Sequence, residues 1–291
     1  MKKLLLITAL LVCTLAVQAQ LLWKVSGNGL KQASYIFGTH HIAPLSICDS
    51  IKGFEKAFAE CGQLYGEVIM DSMTTPGFQQ EMMIAMMAPQ DSLLDKLYTP
   101  EDLKLIDQAL IGTFGVGADK FNMLKPTAIS TQLAVMQSMK IFKDFNPQVQ
   151  LDGVLQKRAK EQGKPIAGFE TVQFQKEMLF LSPISEQAEG LLKMVKLGDE
   201  KNMNMAREMA DNYMKQDLDK LMKIIEDPEL GSTEEDLNRL IYNRNQNWAT
   251  QLKTILPEKA TFIVVGGGHL PGEKGLLNLL RRQGYLVKAI Q

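Results

Sequence analysis

The chain holds three histidines, His40, His41 and His269, and all of them stand in two glycine-led runs, Gly38-Thr39-His40-His41 and Gly266-Gly267-Gly268-His269. Each run has the form Gly-x-x-His and follows an apolar stretch that reads as a β-strand. Neutral imidazole is a common ligand for transition metals and a ready general base. In an open α/β sheet the ligand crevice forms outside the carboxyl ends of the strands. Glycine at those ends allows close backbone approach, so a following histidine can turn inward. Two histidines in equivalent strand-end positions, far apart in sequence, therefore point to one shared site.

Two acids are candidates to join them. Glu67 lies in Leu64-Tyr65-Gly66-Glu67-Val68-Ile69-Met70, a stretch that otherwise reads as a buried strand, and a carboxylate there needs a partner, a metal or a solvated face. Glu170 follows the apolar run Ile166 to Phe169 at a strand-to-helix junction, where an acid also suits a helix's first turn. Asp71, on the Glu67 strand face, is a reserve candidate. Arg244 lies on an apolar helix stripe marked by Leu237, Leu240, Ile241, Trp248, Leu252 and Ile255. An arginine placed so either extends to the rim, pairs with an acid or holds an anionic group. Asn245, beside it, either bonds to a ligand or faces water.

The elements that must position these residues alternate. Leu21 to Val25 and Ser34 to Phe37 read as a hairpin turning at Gly27, Asn28 and Gly29. Further strands are expected at Leu64 to Met70, Lys164 to Phe169, Ala260 to Val265 and Tyr285 to Ile290. Helical spacing fills residues 76–145, with breaks at Pro89, Pro100 and Pro126, then 148–162, about 185–256, and Gly272 to Gln283. The expected class is α/β, a central mixed sheet with helical insertions at about 76–145 and 185–256 in a single domain over 21–291. Met82, Met83, Met86 and Met87 form two adjacent pairs, which reads foremost as a helix packed into the core and otherwise as an adaptable apolar surface. Met203, Met205, Met209 and Met214 read the same way.

Composition narrows the function classes. The 291 residues carry 32 basic and 33 acidic side chains and no basic stripe, which argues against nucleic acid as a partner. Met1-Lys2-Lys3, the apolar run Leu4 to Val17 and the small residues around Ala19 read as a secretory signal peptide over residues 1–20. Its removal would take Lys2, Lys3 and Cys13 and leave Cys48 and Cys61, either as a disulfide or as two buried thiols. The expected product is periplasmic or secreted, with no stable membrane span after cleavage.

These motifs carry a resemblance. The chain resembles the TraB/PrgY/GumN family, related to the Tiki metalloproteases, in Tyr35-Ile36-Phe37-Gly38-Thr39-His40-His41-Ile42, the Glu67 strand, Leu151-Asp152, and Ala167-Gly168-Phe169-Glu170-Thr171 with Gln173 and Gln175. It continues in Arg244-Asn245 with Trp248, and in Val265-Gly266-Gly267-Gly268-His269-Leu270-Pro271-Gly272 through Gly284-Tyr285. The family pattern Gly-Thr-x-His marks His41 as its histidine and leaves His40 variable. Pro271 departs from the usual aliphatic residue.

The resemblance implies a fold of the erythromycin-esterase, ChaN and Tiki kind, and a metal-dependent hydrolase acting on peptides or proteins. His41 and His269 would bind a divalent ion, Mn²⁺ or Co²⁺ foremost and Zn²⁺ as a further candidate, with Glu67 as ligand or general base. Arg244 would steady an oxyanion, and His40, Glu170 and Asn245 would support the centre. A zinc-protease motif of the His-Glu-x-x-His kind is absent from the sequence. The rival reading from another class is a protein that sequesters a peptide or small molecule without turning it over. A haem or metal carrier is a third.

Overall fold

The computed structural model describes residues 20–142, 146, 149–228 and 233–290. The expected leader, apart from Gln20, thus lies outside the described residues.

Six strands form one mixed sheet: β1 (Leu22–Ser26), β2 (Ser34–Thr39), β3 (Gln63–Gly66), β4 (Ile166–Gly168), β5 (Thr261–Gly266) and β6 (Leu286–Ala289). Their spatial order is β4-β3-β5-β2-β1-β6. β4, β3, β5 and β2 run parallel to one another, while β1 is antiparallel to both β2 and β6. The β1–β2 hairpin pairs Leu22 with Phe37 and Val25 with Ser34. Its turn holds Gly27, Asn28 and Gly29 at φ of 77, 46 and 78°, a left-handed run that glycine and asparagine tolerate best.

Every residue of β2 is buried, and so are all of β5 but its last. Successive side chains in a strand point to opposite faces, so burial along the whole length means that helices cover both faces. Phe54 and Phe58 of α1 (Phe54–Glu60) meet the strands edge-on: the Phe37–Phe54 and Phe58–Phe262 rings each lie 5.0 Å apart.

The first insertion contains α2 (Pro76–Met86), α3 (Pro100–Phe114) and α4 (Pro126–Ile141). Each opens on a proline, which has no N–H to lose there and a φ already set for the helix. Thr75 and Thr99 cap the first two by accepting from the N–H groups of Phe78 and Asp102. Then come α5 (Leu151–Glu161) and α6 (Val172–Phe180) on either side of β4. The second insertion brings α7 (Ile184–Leu197), α8 (Asp199–Met214), α9 (Leu218–Ile225) and α10 (Asn243–Glu258), and α11 (Leu276–Arg282) leads into β6. Leu191 of α7 joins Ile106, Leu110, Ile129 and Leu133 in a second hydrophobic cluster, so the two insertions pack on each other.

One expectation changes here. α2 is not a core helix: Phe78 is its one buried residue, and Met83 and Ile84 are 63% and 66% exposed. Neighbouring helical positions lie about 100° apart around the axis, so adjacent methionines cannot both face one partner. Met82 and Met86 are half-buried, and Met83 and Met87 face outward. Of the two readings open for the cysteines, the unpaired one describes the structure: Cys48, half-buried, and Cys61, buried, are free thiols, and burial pushes each up to about 12. Among the described residues no helix is long and apolar enough to cross a membrane.

Candidate active site at the strand ends

The register lines up the carboxyl ends of four parallel strands. Gly66 of β3 stands beside Gly168 of β4 and Val264 of β5, and Thr39 of β2 beside Gly266. The turns that follow carry Glu67, Glu170, His269 and the pair His40-His41. The β3–β4 pairing runs on past the strands, with Phe169 N–H donating to Gly66 O at 3.0 Å and Glu170 N–H to Glu67 O at 2.9 Å. This places the two carboxylates side by side.

β3 ends at Gly66 rather than Met70, so Glu67 is not an intruder in a buried strand. Buried Gln156 of α5 explains the break: its amide donates to Val68 O at 2.8 Å and accepts from Met70 N–H at 2.9 Å, holding 67–70 in a bend. A Cβ on Gly66 would lie 2.5 Å from that amide nitrogen, so the close approach needs glycine.

Arg244 is the hub, and it is buried. Its Nε and Nη2 donate to Glu170 at 2.8 and 2.9 Å, a two-pronged pair, and Nη2 also donates to Glu67 Oε2 at 2.6 Å. Nη1 donates to Leu240 O at 2.9 Å and lies 3.2 Å from His269 Nε2. A guanidinium has five N–H groups, and this accounts for all of them. A π-helical turn, Asn238–Tyr242, immediately precedes α10 and includes the Leu240 carbonyl. Glu170 further accepts from Trp248 Nε1 at 2.9 Å, and Gln175 bridges Glu170 and Glu67 at 3.2 and 3.4 Å.

The tautomer of His269 follows from its neighbours. Asn245 donates its amide to Lys274 O at 3.0 Å, which turns its oxygen toward His269 Nδ1 at 2.7 Å. Nδ1 therefore carries the proton and Nε2 presents a lone pair toward Arg244 and, at 3.8 Å, Glu67 Oε1. Burial, with the Arg244 charge beside it, lowers His269 to about 4, so the ring is neutral at physiological pH. Trp248 walls the site, its ring 4.4 Å from His269 and 4.8 Å below the Arg244 guanidinium. Burial pushes Glu67 up, but His269, Arg244 and the Gly266 N–H, 2.8 Å from Oε1, outweigh it and hold the carboxyl at about 2.

His41 occupies the open side. Its side chain is 70% exposed and its Nδ1 lies 3.9 Å from Asp152 Oδ2. Burial raises the Asp152 carboxyl, and a charge on His41 opposes that shift while Glu67 adds to it. Asp152, in the first turn of α5, accepts from Thr39 Oγ1 at 2.9 Å through Oδ1, while buried Oδ2 has no hydrogen-bond partner. His40 points elsewhere, its ring 5.3 Å from that of Tyr213, and burial lowers it to about 4. Asp71 stands apart: it lies in a short helix, Met70–Met73, exposed and paired with Lys160 at 2.7 Å.

Sequence reasoning gave no role to Asp152, Gln175 or Trp248. All three stand within the motifs quoted for the resemblance, which was the available signal. For a divalent ion the donor chemistry fits: carboxylates, a neutral imidazole, and a buried carboxylate oxygen lacking a partner. Among the described residues, however, no three His, Cys, Asp or Glu side chains converge as a closed cage. The donors stand as two imidazole–carboxylate pairs, His41–Asp152 and His269–Glu67.

A mixed sheet that gathers acids, imidazoles and one saturated arginine at the carboxyl ends of its parallel strands defines an α/β protein with a largely buried polar cluster at its strand ends. The model of the TraB/PrgY/gumN family matches residues 21–289, and the chain belongs to that family. Neither a curated protein nor a solved structure matches it.

Proposed function

We propose that the chain is an exported hydrolase of peptides that works with a divalent metal ion, Mn²⁺ or Co²⁺ ahead of Zn²⁺. The observation that carries this reading is Asp152 Oδ2, buried without a partner beside His41 at the mouth of the crevice. The donors offered to such an ion are His41 with Asp152 and, as a second pair, His269 with Glu67, and the two pairs would have to draw together to share it. When bound, such an ion supplies Lewis acidity that polarises a carbonyl and acidifies water near neutral pH.

The chain's own residues divide the remaining work. Glu67 is locked by Gly266, Arg244 and Gln175, and its carboxyl stays ionised far below neutral pH. It is a fixed negative charge and a ligand rather than a general base, whose pKa should lie near the working pH. Asn245 fixes the His269 tautomer, the arrangement that orients metal-binding imidazoles generally. Arg244 and Glu170 hold Glu67 in place. For Arg244 to reach an oxyanion, it would have to exchange one of its five bonds.

That saturation favours a second reading, in which the crevice retains a peptide without cleaving it. Metal analysis and cleavage of a peptide library by the wild type, His269→Ala and Asp152→Asn separate the two. The hydrolase reading expects bound metal and turnover in the wild type, with both lost in the variants. Equal metal content and turnover in all three would overturn it. Peptide retention without cleavage under Mn²⁺, Co²⁺ and Zn²⁺ would establish sequestration instead.

A further inference from the structure

An apolar cavity of about 200 Å³ opens beside the loop that carries His41. One wall is Ile42, Ala43 and Pro44, which follow His41 directly in the chain. Phe142, at the end of α4, and Ala210, Asp211, Tyr213 and Met214, in the last turns of α8, line the rest. Among the described residues Asp211 is the one charged residue lining it.

The cavity is tied to the crevice by covalent and packing continuity. The Tyr213 hydroxyl donates to Gly38 O at 2.9 Å, at the last turn of β2, and its ring packs on His40. The turn after β2 is closed by Ala43 N–H donating to His40 O at 3.0 Å. Tyr213 thus serves as cavity wall and as the clamp on the strand that delivers His41. Occupancy of the cavity and the position of His41 share the same supports.

We propose that this cavity is a specificity pocket that receives one large apolar side chain of the peptide, of leucine to phenylalanine size, next to the bond held at the crevice. The inference rests on the hydrolase reading for the word bond, and on the geometry alone for the pocket. Size sets the upper limit: an apolar cavity of roughly 150 Å³ admits a benzene ring, so 200 Å³ takes one such side chain and not two. Chemistry sets the class. Few polar groups face inward, so a charged or amide side chain would lose its hydration without replacement. Asp211 adds a penalty against an acidic neighbour.

The test uses the full chain and blocked hexapeptides, acetyl-Gly-Gly-X-Ala-Gly-Gly-amide, with X as Leu, Phe, Ala or Asp. Binding is read by calorimetry and cleavage by mass spectrometry with Mn²⁺ present. The wild type should favour Leu and Phe over Ala and Asp by at least tenfold, within the roughly 10–200-fold that an apolar pocket contributes. Ala210→Trp, which fills the cavity, should erase that preference while leaving the Ala peptide unaffected. Met214→Trp, at a half-exposed rim position that tolerates change, serves if the first variant fails to fold. Equal affinity for all four peptides, or a preference that survives both tryptophan variants, would overturn the pocket. Selective binding without cleavage would sink the hydrolase reading and leave the pocket standing.

Discussion

Replacing Arg244 by methionine removes five donors and a charge from a buried site. Glu67 and Glu170 are left facing each other, with Gln175, Trp248 and the Gly266 N–H as remaining donors. Removing one partner of a buried ion pair costs roughly 3–5 kcal/mol, because the stranded charge cannot regain water. With two carboxylates stranded, Arg244→Met should fall at the upper end, about 5 kcal/mol, out of a total stability of roughly 5–15 kcal/mol. Urea unfolding at pH 7.5 measures it, followed by tryptophan fluorescence, since Trp248 is one of only two tryptophans and lies in the site. Adding Glu170→Gln to Arg244→Met removes one stranded charge, so the pair should recover roughly 1–3 kcal/mol relative to the summed single losses. At pH 4 the Arg244→Met deficit should narrow as the carboxylates take up protons. A loss below about 1 kcal/mol, or strict additivity at both pH values, would refute the view that this network is held together by Arg244.

Acid should weaken the fold ahead of any carboxylate effect. The pKa of His269 lies at about 4 in the folded chain against an ordinary 6.5, so the unfolded chain takes the proton first. The His269 contribution is present above pH 6.5 and falls by about 3 kcal/mol as pH drops to 4; buried His40, lowered likewise, adds a loss of the same sign, the raised Asp152 carboxyl opposes it, and Glu67 continues the loss below 4.5. Melting temperatures from pH 8 to 4 check the sign; a flat or rising profile contradicts it. Gly275→Ala should destabilise by about 3 kcal/mol, because its Cβ would stand 1.9 Å from Pro271 O; chemical denaturation reads it. Phe78→Ala should cost about 3 kcal/mol, whereas Met83→Asp on the same helix should stay within about 0.5, and comparable losses would mean that α2 is buried after all. On the hydrolase reading, Asn245→Ala should lower metal affinity or turnover roughly 10–100-fold by freeing the His269 tautomer; an unchanged pH–rate profile would argue against that role.

Much of the frame was legible because its signals are local. The hairpin is written in Gly27-Asn28-Gly29, helix breaks in Pro100 and Pro126, where the structure starts new helices, and buried strands in unbroken apolar runs such as Phe262 to Val265. The site was legible in part, since Gly-x-x-His after a strand states a position in an α/β sheet. What local pattern could not carry was the pairing. Nothing near Glu67 says that Gln156, 89 positions later, cuts its strand short at Gly66. Asp152 reads as an ordinary first-turn acid until Thr39 and His41 are placed beside it. Arg244 reads as a rim residue on a helix stripe, and becomes a hub only when β3 and β4 bring two acids to it. The methionine pairs misled because an apolar count says nothing of which side of a helix has a neighbour.

The place of β5 in the sheet bears on how the chain must be made. It is the fifth strand in sequence but lies between β2 and β3, and joins what would otherwise be two separate ribbons. A ribosome has therefore assembled some 260 residues before the two halves can be zipped together, with the bonding edges of β2 and β3 left unsatisfied meanwhile. The last element to emerge, β6, then seals β1 at the far margin. Such a chain acquires its crevice in a single late step, and truncation anywhere before residue 266 should abolish the fold rather than trim it.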